Sequence, residues 1–323
     1  MKTFLLCCAI ALCACVSAAS AQTNTTFPAR PVRWIVPFTP GGAADISSRV
    51  IGQKLAEAWG QQIVIDNRPG AAGNLGIELV ARANPDGYTV VLVPATFTTH
   101  THLTAKPLYD PLRDFAAITL VSFSPLVLVV HPSVPAKNVQ ELIAFAKSKP
   151  KLLNYASSGT GASAHMAAEL FKTATKTDIV HVPYKAQPPA LLDVMSGRVH
   201  MMFPNLPSAI SHIKSGKLRA LAVTSERRST LFPELPTFPE SGLPGFEVTQ
   251  WGGLVAPART PPAITAKFQQ AVSAALKLPD VKTSLENQGF EAVGNTPAEF
   301  TTFLRNETAK WGRVIKEAGI QAD

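Results

Sequence analysis

Beyond residue 15 the chain has no cysteine; all four, Cys7, Cys8, Cys13 and Cys15, stand near its beginning. The remainder therefore has no disulfide staple, no thiolate metal site and no cysteine nucleophile. A chain of 323 residues buries enough core to fold without such staples. It also lacks any later apolar run of the roughly 20 residues that a membrane-spanning helix needs. No basic run interleaved with aromatics occurs, so the net charge of +8 reads as a scattered, mildly basic surface. Such a surface can steer small anions, and nucleic acid is not an expected partner. No repeat or low-complexity segment interrupts the pattern.

The signatures of catalysis are missing too. No lysine of the Walker A kind follows a glycine loop, and no H-E-x-x-H pair marks a metal. The segment nearest a serine-hydrolase elbow, Gly161-Ala162-Ser163, runs on into Ala164-His165 instead of closing with glycine. Gly70-Ala71-Ala72-Gly73-Asn74-Leu75-Gly76 resembles a dinucleotide fingerprint with one residue displaced, a weak signal alone. His100, His102, His131, His181, His200 and His212 read as structural or surface residues. The expectation is a protein that is not an enzyme and carries no cofactor or metal.

What is present begins with an export signal. Lys2 gives a short positive region, Phe4 to Val16 an apolar one, and Ala19-Ser20-Ala21 the small residues a signal peptidase reads. A signal peptide over 1–21 is expected, cleaved before Gln22, with delivery of a soluble protein to the periplasm. The competing reading is lipid attachment at Cys15, since Leu12-Cys13-Ala14-Cys15 loosely resembles a lipobox; the cysteine at its middle position is atypical.

The rest alternates strand and helix patterns. Val32–Phe38, Gln62–Asp66 and Tyr88–Val93 read as strands. Between them, Asp45–Trp59 carries Ile46, Val50, Ile51, Leu55 and Ala58 on one helical stripe, and Leu75–Ala83 is a second helix. This βαβαβ start predicts a parallel sheet covered on both faces. Pro125–Val130, Leu153–Ala156, Ile179–Val182, Val199–Phe203 and Leu218–Val223 read as strands of a second α/β set, with helices near Val139–Lys147, Ala164–Lys172 and Pro188–Met195. After a Pro- and Gly-rich stretch from 226 to 245 come a strand, Val248–Ala256, and helices at Ile264–Leu276 and Pro297–Ala318. The closing helices need a surface to pack on. The predicted organisation is therefore a discontinuous first lobe, 22–125 with 246–323, and a second lobe, 126–245, joined by two crossings that make a hinge.

Two turns stand out. Pro37-Phe38-Thr39-Pro40-Gly41-Gly42-Ala43-Ala44-Asp45 runs from a strand through two glycines into a helix. Glycine admits close backbone approach, and the helix start offers unpaired N–H groups to an anion. Asn154 to His165 repeats the device and adds the hydroxyls of Ser157, Ser158 and Thr160. Placed on opposite lobes, the two turns would clamp an anion. Neither contains Lys or Arg, so neutral donors and helix dipoles are expected to hold the anion. Asp45 is either a helix cap, an acid that orders a donor toward the ligand, or the acceptor of a ligand ammonium group.

At this point the chain resembles the Bug-type solute-binding receptors of tripartite tricarboxylate transporters. The matching motifs are Pro40-Gly41-Gly42 with Asp45, Asn67-Arg68-Pro69-Gly70, Pro85-Asp86-Gly87-Tyr88, Tyr109-Asp110, Ser158-Gly159-Thr160-Gly161 with His165, His181-Val182-Pro183-Tyr184-Lys185, Gly216-Lys217-Leu218-Arg219 and Trp251-Gly252 with Ala256-Pro257. The resemblance implies an α/β, two-lobed periplasmic-binding-protein fold, type II-like, with a ligand cleft between lobes. It implies capture of a small carboxylate (organic acid, amino acid or aromatic acid), as a monomer that hands ligand to membrane permease subunits. The alternative is a sensing receptor that signals to a membrane sensor protein. Carried over, the ligand-binding candidates are Phe38, Thr39, Gly42, Ala43 and Asp45 in the first loop. In the second they are Ser157, Ser158, Thr160, Gly161 and His165. Thr96, Phe97, Phe203 and Asn205 occupy further strand ends. Two departures from the family pattern, Ala186 after Lys185 and the stretch His100–Thr104, bear on ligand identity rather than fold.

Overall fold

The computed structural model describes residues 27–229 and 232–320; the expected signal peptide and Cys15 lie outside them. In chain order the elements are β1 (Val32–Val36), α1 (Ala43–Trp59), β2 (Ile63–Asn67), α2 (Asn74–Ala81), β3 (Thr89–Pro94), α3 (Thr96–Leu103), β4 (Phe115–Pro125), β5 (Val127–Val130), α4 (Val139–Ser148) and β6 (Asn154–Ser157). There follow α5 (Ser163–Thr175), β7 (Val180–Pro183), α6 (Gln187–Met195), β8 (Met201–Met202), α7 (Leu206–Lys214), β9 (Arg219–Val223), β10 (Thr249–Pro257), α8 (Pro262–Leu276), α9 (Pro279–Asn287), β11 (Glu291–Ala292) and α10 (Pro297–Ala318).

The strands form two sheets. One has the order β11-β4-β10-β3-β1-β2, the other β7-β6-β8-β5-β9. β1 pairs in parallel with both β2 and β3, as the opening βαβαβ pattern requires. β10 returns from late in the chain to lie antiparallel between β3 and β4. The first sheet buries an apolar cluster on each face, one built on Trp34, Leu55 and Phe268, the other on Ile35, Phe97 and Phe300. The second sheet is enclosed by a core that includes Val129, Tyr155, Phe171 and Phe203.

Helix α1 shows how local chemistry adjusts the pattern. Ile51 and Leu55 are buried, but Ile46 is exposed. Ser47 and Ser48 take the inner positions, their hydroxyls donating to the Ala44 carbonyl, which satisfies them within the helix. Gly60, left-handed at φ 65°, ends the helix and donates its N–H to Ala56.

The apolar run 125–130, read above as one strand, is divided. β4 ends at Pro125 in the first sheet and β5 begins at Val127 in the second, so Leu126 is the crossing residue. Thr224 ties this crossing to the return crossing. Its N–H donates to the Leu126 carbonyl and its hydroxyl accepts from the Leu126 N–H, both at 2.9 Å. The Val248 N–H donates to the Thr224 carbonyl at 3.2 Å, and the Thr224 hydroxyl donates back to the Val248 carbonyl. Thr224 is fully buried.

Helix α10 bridges the two halves. Its start carries a capping box between Thr296 and Glu299. Phe300 and Leu304 pack under the first sheet, whereas Trp311, Val314 and Ile315 join the core of the second. Gly312 lets α10 approach α3 closely: a Cβ there would stand 2.7 Å from His102 Cε1.

Thr224→Val keeps the side-chain shape and deletes the hydroxyl. It leaves the Leu126 N–H and Val248 carbonyl without that partner in a buried site, which should lower stability by roughly 1–3 kcal/mol. Thr224→Ser should recover most of the loss. Urea unfolding of the two variants beside the parent measures the difference; a Thr224→Val variant as stable as the parent would show that the hydroxyl contributes nothing.

Candidate functional site

The C-terminal ends of the parallel strands converge where the sheets meet, and each opens into a helix. A cavity of about 560 Å3 lies there. Phe38 after β1, Pro94, Ala95 and Thr96 after β3, and Gln250 on β10 wall one side. Ser158 to Thr160 and Ala162 to Ala164 after β6, Tyr184, Lys185 and Gln187 after β7, and Phe203 after β8 wall the other, with Leu126 at the crossing. A smaller recess of about 80 Å3 adjoins it beneath Phe38 and is lined by Ala43, Ala44, Trp251 and Phe290 among others.

Helix starts give the cavity its polarity. α3, α5 and α6 begin in its wall, and none has a side-chain cap. α1, which begins at the recess, is likewise uncapped. The helices that do carry side-chain caps, α4 with Asn138 and α10 with Thr296, begin elsewhere. The starts of α3 and α5 present N–H groups and about half a positive charge, whereas α6 opens on Gln187-Pro188-Pro189, whose two prolines have no N–H to offer. The lining contains no Asp or Glu.

The candidates from sequence separate into two groups. Phe38, Thr96, Ser158, Thr160 and Phe203 line the cavity, and Ala43 lines the recess. Thr39 and Gly42 are exposed and outside both linings. Asp45, Phe97, Ser157, Gly161, His165 and Asn205 lie behind the wall, where they hold it in shape. Phe97 is fully buried and stacks on Tyr109 at 5.4 Å. Asn205 accepts from the Gln187 amide at 2.8 Å.

Asp45 is turned inward beneath the first loop. It accepts the Gly41 N–H at 2.9 Å, Arg49 Nε at 3.0 Å and Asn67 Nδ2 at 3.0 Å, with Arg49 Nη2 a further 2.9 Å away. Asn67 also donates to the Phe38 carbonyl. The acid therefore ties both ends of the loop to β2. The Arg49 guanidinium, helped by the Gly41 and Asn67 donors and opposed by burial, lowers its pKa to about 2.

His165 does the same for the second loop. Gly161, at φ 80°, donates its N–H to His165 Nδ1 at 3.0 Å. Burial, with His181 and Lys172 nearby, pushes the imidazole pKa down to about 3. The ring is thus neutral, with its lone pair available to Gly161. It stacks on His181 at 4.2 Å, and His181 stacks on Tyr155 at 4.7 Å. Ser157 Oγ lies 2.7 Å from His181 Nε2. Gly161 must be glycine on two counts: its φ is left-handed, and a Cβ would meet Leu103 Cδ1 at 2.5 Å. The close approach comes from α3, across the cleft.

Sequence reasoning missed Tyr184, Lys185, Gln187 and Gln250. The first three follow β7 as Ser158 follows β6, so the strand-end rule applied to Ile179–Val182 would have found them. Gln250 gives no such signal, because it lies within an antiparallel strand. Of the two departures, Ala186 caps α6 at φ −159°, extended backbone that accommodates its methyl group. His100–Leu103 forms the end of α3 between the lobes.

A family model described as the tripartite tricarboxylate transporter family receptor matches residues 47–320. The protein BugT of Bordetella pertussis is 36% identical over 298 residues, covering 92% of this chain and 91% of its own. The structure of R. palustris Rpa4515 with adipate superposes with a TM-score of 0.78 at 36% identity, covering 92% of this chain and all of that one. MatC of Rhodopseudomonas palustris, solved with bound malate, gives 0.76 at 33% identity over 90% of this chain and all of its own.

The Asp45 geometry has a measurable consequence. Its folded pKa of about 2 lies below the ordinary value of 3.8. Ionised Asp45 therefore contributes stability that is complete above the unfolded value and drains away as pH falls toward 2. Asp45→Asn, which a helix-cap role alone would tolerate, should lower stability by roughly 2 kcal/mol at neutral pH. The gap should narrow steadily in the acid range. Urea midpoints of parent and variant across pH test this; a pH-independent gap would remove the carboxylate charge as its cause.

Proposed function

The chain belongs to the tripartite tricarboxylate transporter family of receptors, and on that premise we propose that it captures a small carboxylate in the cavity between its lobes. The family is one of solute-binding receptors rather than enzymes, and the fold is the two-lobed α/β periplasmic-binding-protein fold. The observation that carries the proposal is the polarity of the cavity, where the uncapped starts of α3 and α5, one from each lobe, meet and no acidic side chain lines the wall. Oxygen of a carboxylate is the natural acceptor for such amides. Two of the solved relatives hold adipate and malate, which supports the same chemistry here.

In this reading Ser158, Thr160 and Thr96 surround the carboxylate, and Phe38 and Phe203 flank the body of the ligand. Asp45, His165, Ser157, Gly161, Phe97 and Asn205 act one layer back, on the loops themselves. The lobes are 22–125 with 246–323 and 126–245, with the last turns of α10 seated across the boundary. The chain is exported by its first 21 residues and works as a monomer in the periplasm, passing ligand to the permease subunits of a tripartite carrier. No described helix is long and apolar enough to cross a membrane.

A thermal-shift screen of the mature protein tests the proposal, pairing each mono-, di- and tricarboxylate with its neutral amide. A ligand at a hundredfold excess over its Kd should add about 2.7 kcal/mol of stability. Carboxylates should raise Tm and their amides should not. Equal shifts from acid and amide would show that the charge is not what the cavity recognises.

A further inference from the structure

In the recess beside the ligand cavity the packing of the first lobe stops short. Helix α1 covers one face of the first sheet, and its inner residues Ile51 and Leu55 fill the core there. One to two turns earlier the same helix offers only Ala43, Ala44 and Ser47, and a hollow of about 80 Å3 lies between them and β3, β4 and β10. Phe38, Pro94 and Gln250 line both the hollow and the cavity, so the two spaces adjoin. No charged side chain lines the recess.

Gly252 of β10 forms part of the recess wall, opposite Pro94 of β3 and Ser122 of β4. Glycine weakens the interior of a strand and often marks a place where something approaches closely. Its neighbour Gly253 has a packing reason, because a Cβ there would stand 2.1 Å from Phe300 Cζ. At Gly252 a Cβ would face the other side of the sheet. It would meet Leu92 Cδ1 at 3.6 Å and Ser122 Oγ at 3.7 Å, both ordinary contacts with residues of the recess. The register shift between the two glycines does not require glycine at 252 either, since neither has a left-handed φ. The side chain that is missing at 252 leaves open the space of the recess.

Two serines line this space, and both are more than nine-tenths buried. Ser47 Oγ donates to the Ala44 carbonyl at 3.2 Å. Ser122 Oγ makes no hydrogen bond to another described residue. A buried hydroxyl without a partner is costly, so an oxygen from outside the chain suits it. Most of the remaining wall is apolar, made by Phe38, Leu92, Val93, Trp251 and Phe290. Size narrows the occupant further. A water takes about 30 Å3 of liquid volume and a cavity that binds benzene measures about 150 Å3. A recess of about 80 Å3 therefore holds about three heavy atoms, fewer than a ring.

We infer that the recess is a subsite for a short uncharged branch of the ligand, about three heavy atoms long with one hydrogen-bonding oxygen, which Ser122 holds and for which Gly252 leaves room. This rests on carboxylate capture in the adjoining cavity.

The test is calorimetry on the mature protein with butyrate, succinate and glutarate, each unbranched and with a propyl or a methoxymethyl branch at carbon 2 or 3. At least one methoxymethyl acid should bind about tenfold or more tightly than its unbranched parent, the effect of burying about two carbons. It should also bind about threefold more tightly than its propyl equal, the effect of one hydrogen bond. Gly252→Val fills the recess and should weaken that branched acid about tenfold more than the unbranched one. Gly252→Ala, whose Cβ meets only ordinary contacts, should show the same trend at smaller size and serves if the valine variant fails to fold. Ser122→Ala should bring the methoxymethyl acid level with its propyl equal. Branched and unbranched acids that bind the parent protein alike overturn the inference, and the recess then holds water only. An equal loss for both in the Gly252 variants overturns it as well. So does equal binding of the methoxymethyl and propyl acids, since the branch would then need no oxygen. In each of those cases carboxylate capture still stands. If the parent protein binds none of the acids, capture fails too.

Discussion

Two stretches of backbone pass between the lobes, and a single buried threonine joins them. Thr224 pairs with Leu126 on the outward crossing and with Val248 on the return. A buried polar side chain is tolerable only when its partners are complete, and here the partners are the two connections themselves. The cavity lies between the parts that this join and helix α10 hold together. The Ser158 loop belongs to one lobe and Phe38 to the other, and their spacing follows from the angle at which the crossings are fastened.

The two turns most visible in the sequence prove to be supported by their own side chains. Asp45 and His165 each accept a loop glycine amide, Gly41 in one case and Gly161 in the other. One does so as a charged acid and the other as a neutral base. Both states come from the surroundings: a guanidinium stabilises the acid, and burial keeps the imidazole unprotonated. An acid-and-glycine or histidine-and-glycine spacing of four residues thus describes a loop brace as well as it describes a binding site.

How much of this was legible follows the physical signals. Parallel strands and amphipathic helices carry strong periodicity, and β1 through β3, α1, α4 and α10 lie within a few residues of the sequence reading. α3 was not foreseen because its sequence, TFTTHTHL, has no apolar stripe; its helical form comes from packing between the lobes and α10. β4, the longest strand, was missed and its end merged with β5, since an apolar run looks the same whether or not it changes sheet at Leu126. α7 and α9 begin with proline in their first turn, a helix-start signal that was available and not used. In the cavity, the loops were legible because glycine betrays close backbone approach, whereas Gln250, within an antiparallel strand, became visible only when the sheets came together.

Helix α10 adds a constraint in time. Its first turns complete one core and its last turns the other, and β10 fills the gap between β3 and β4 only after all of the second sheet has been made. The first half lacks part of its apolar interior until Phe300 and Leu304 have been delivered, and the second until Trp311, Val314 and Ile315 have followed. Domains that finish early in the sequence can fold as they emerge; here both cores draw on the last helix. A polypeptide that stays open until nearly its whole length is available is one that can still be threaded through a narrow pore.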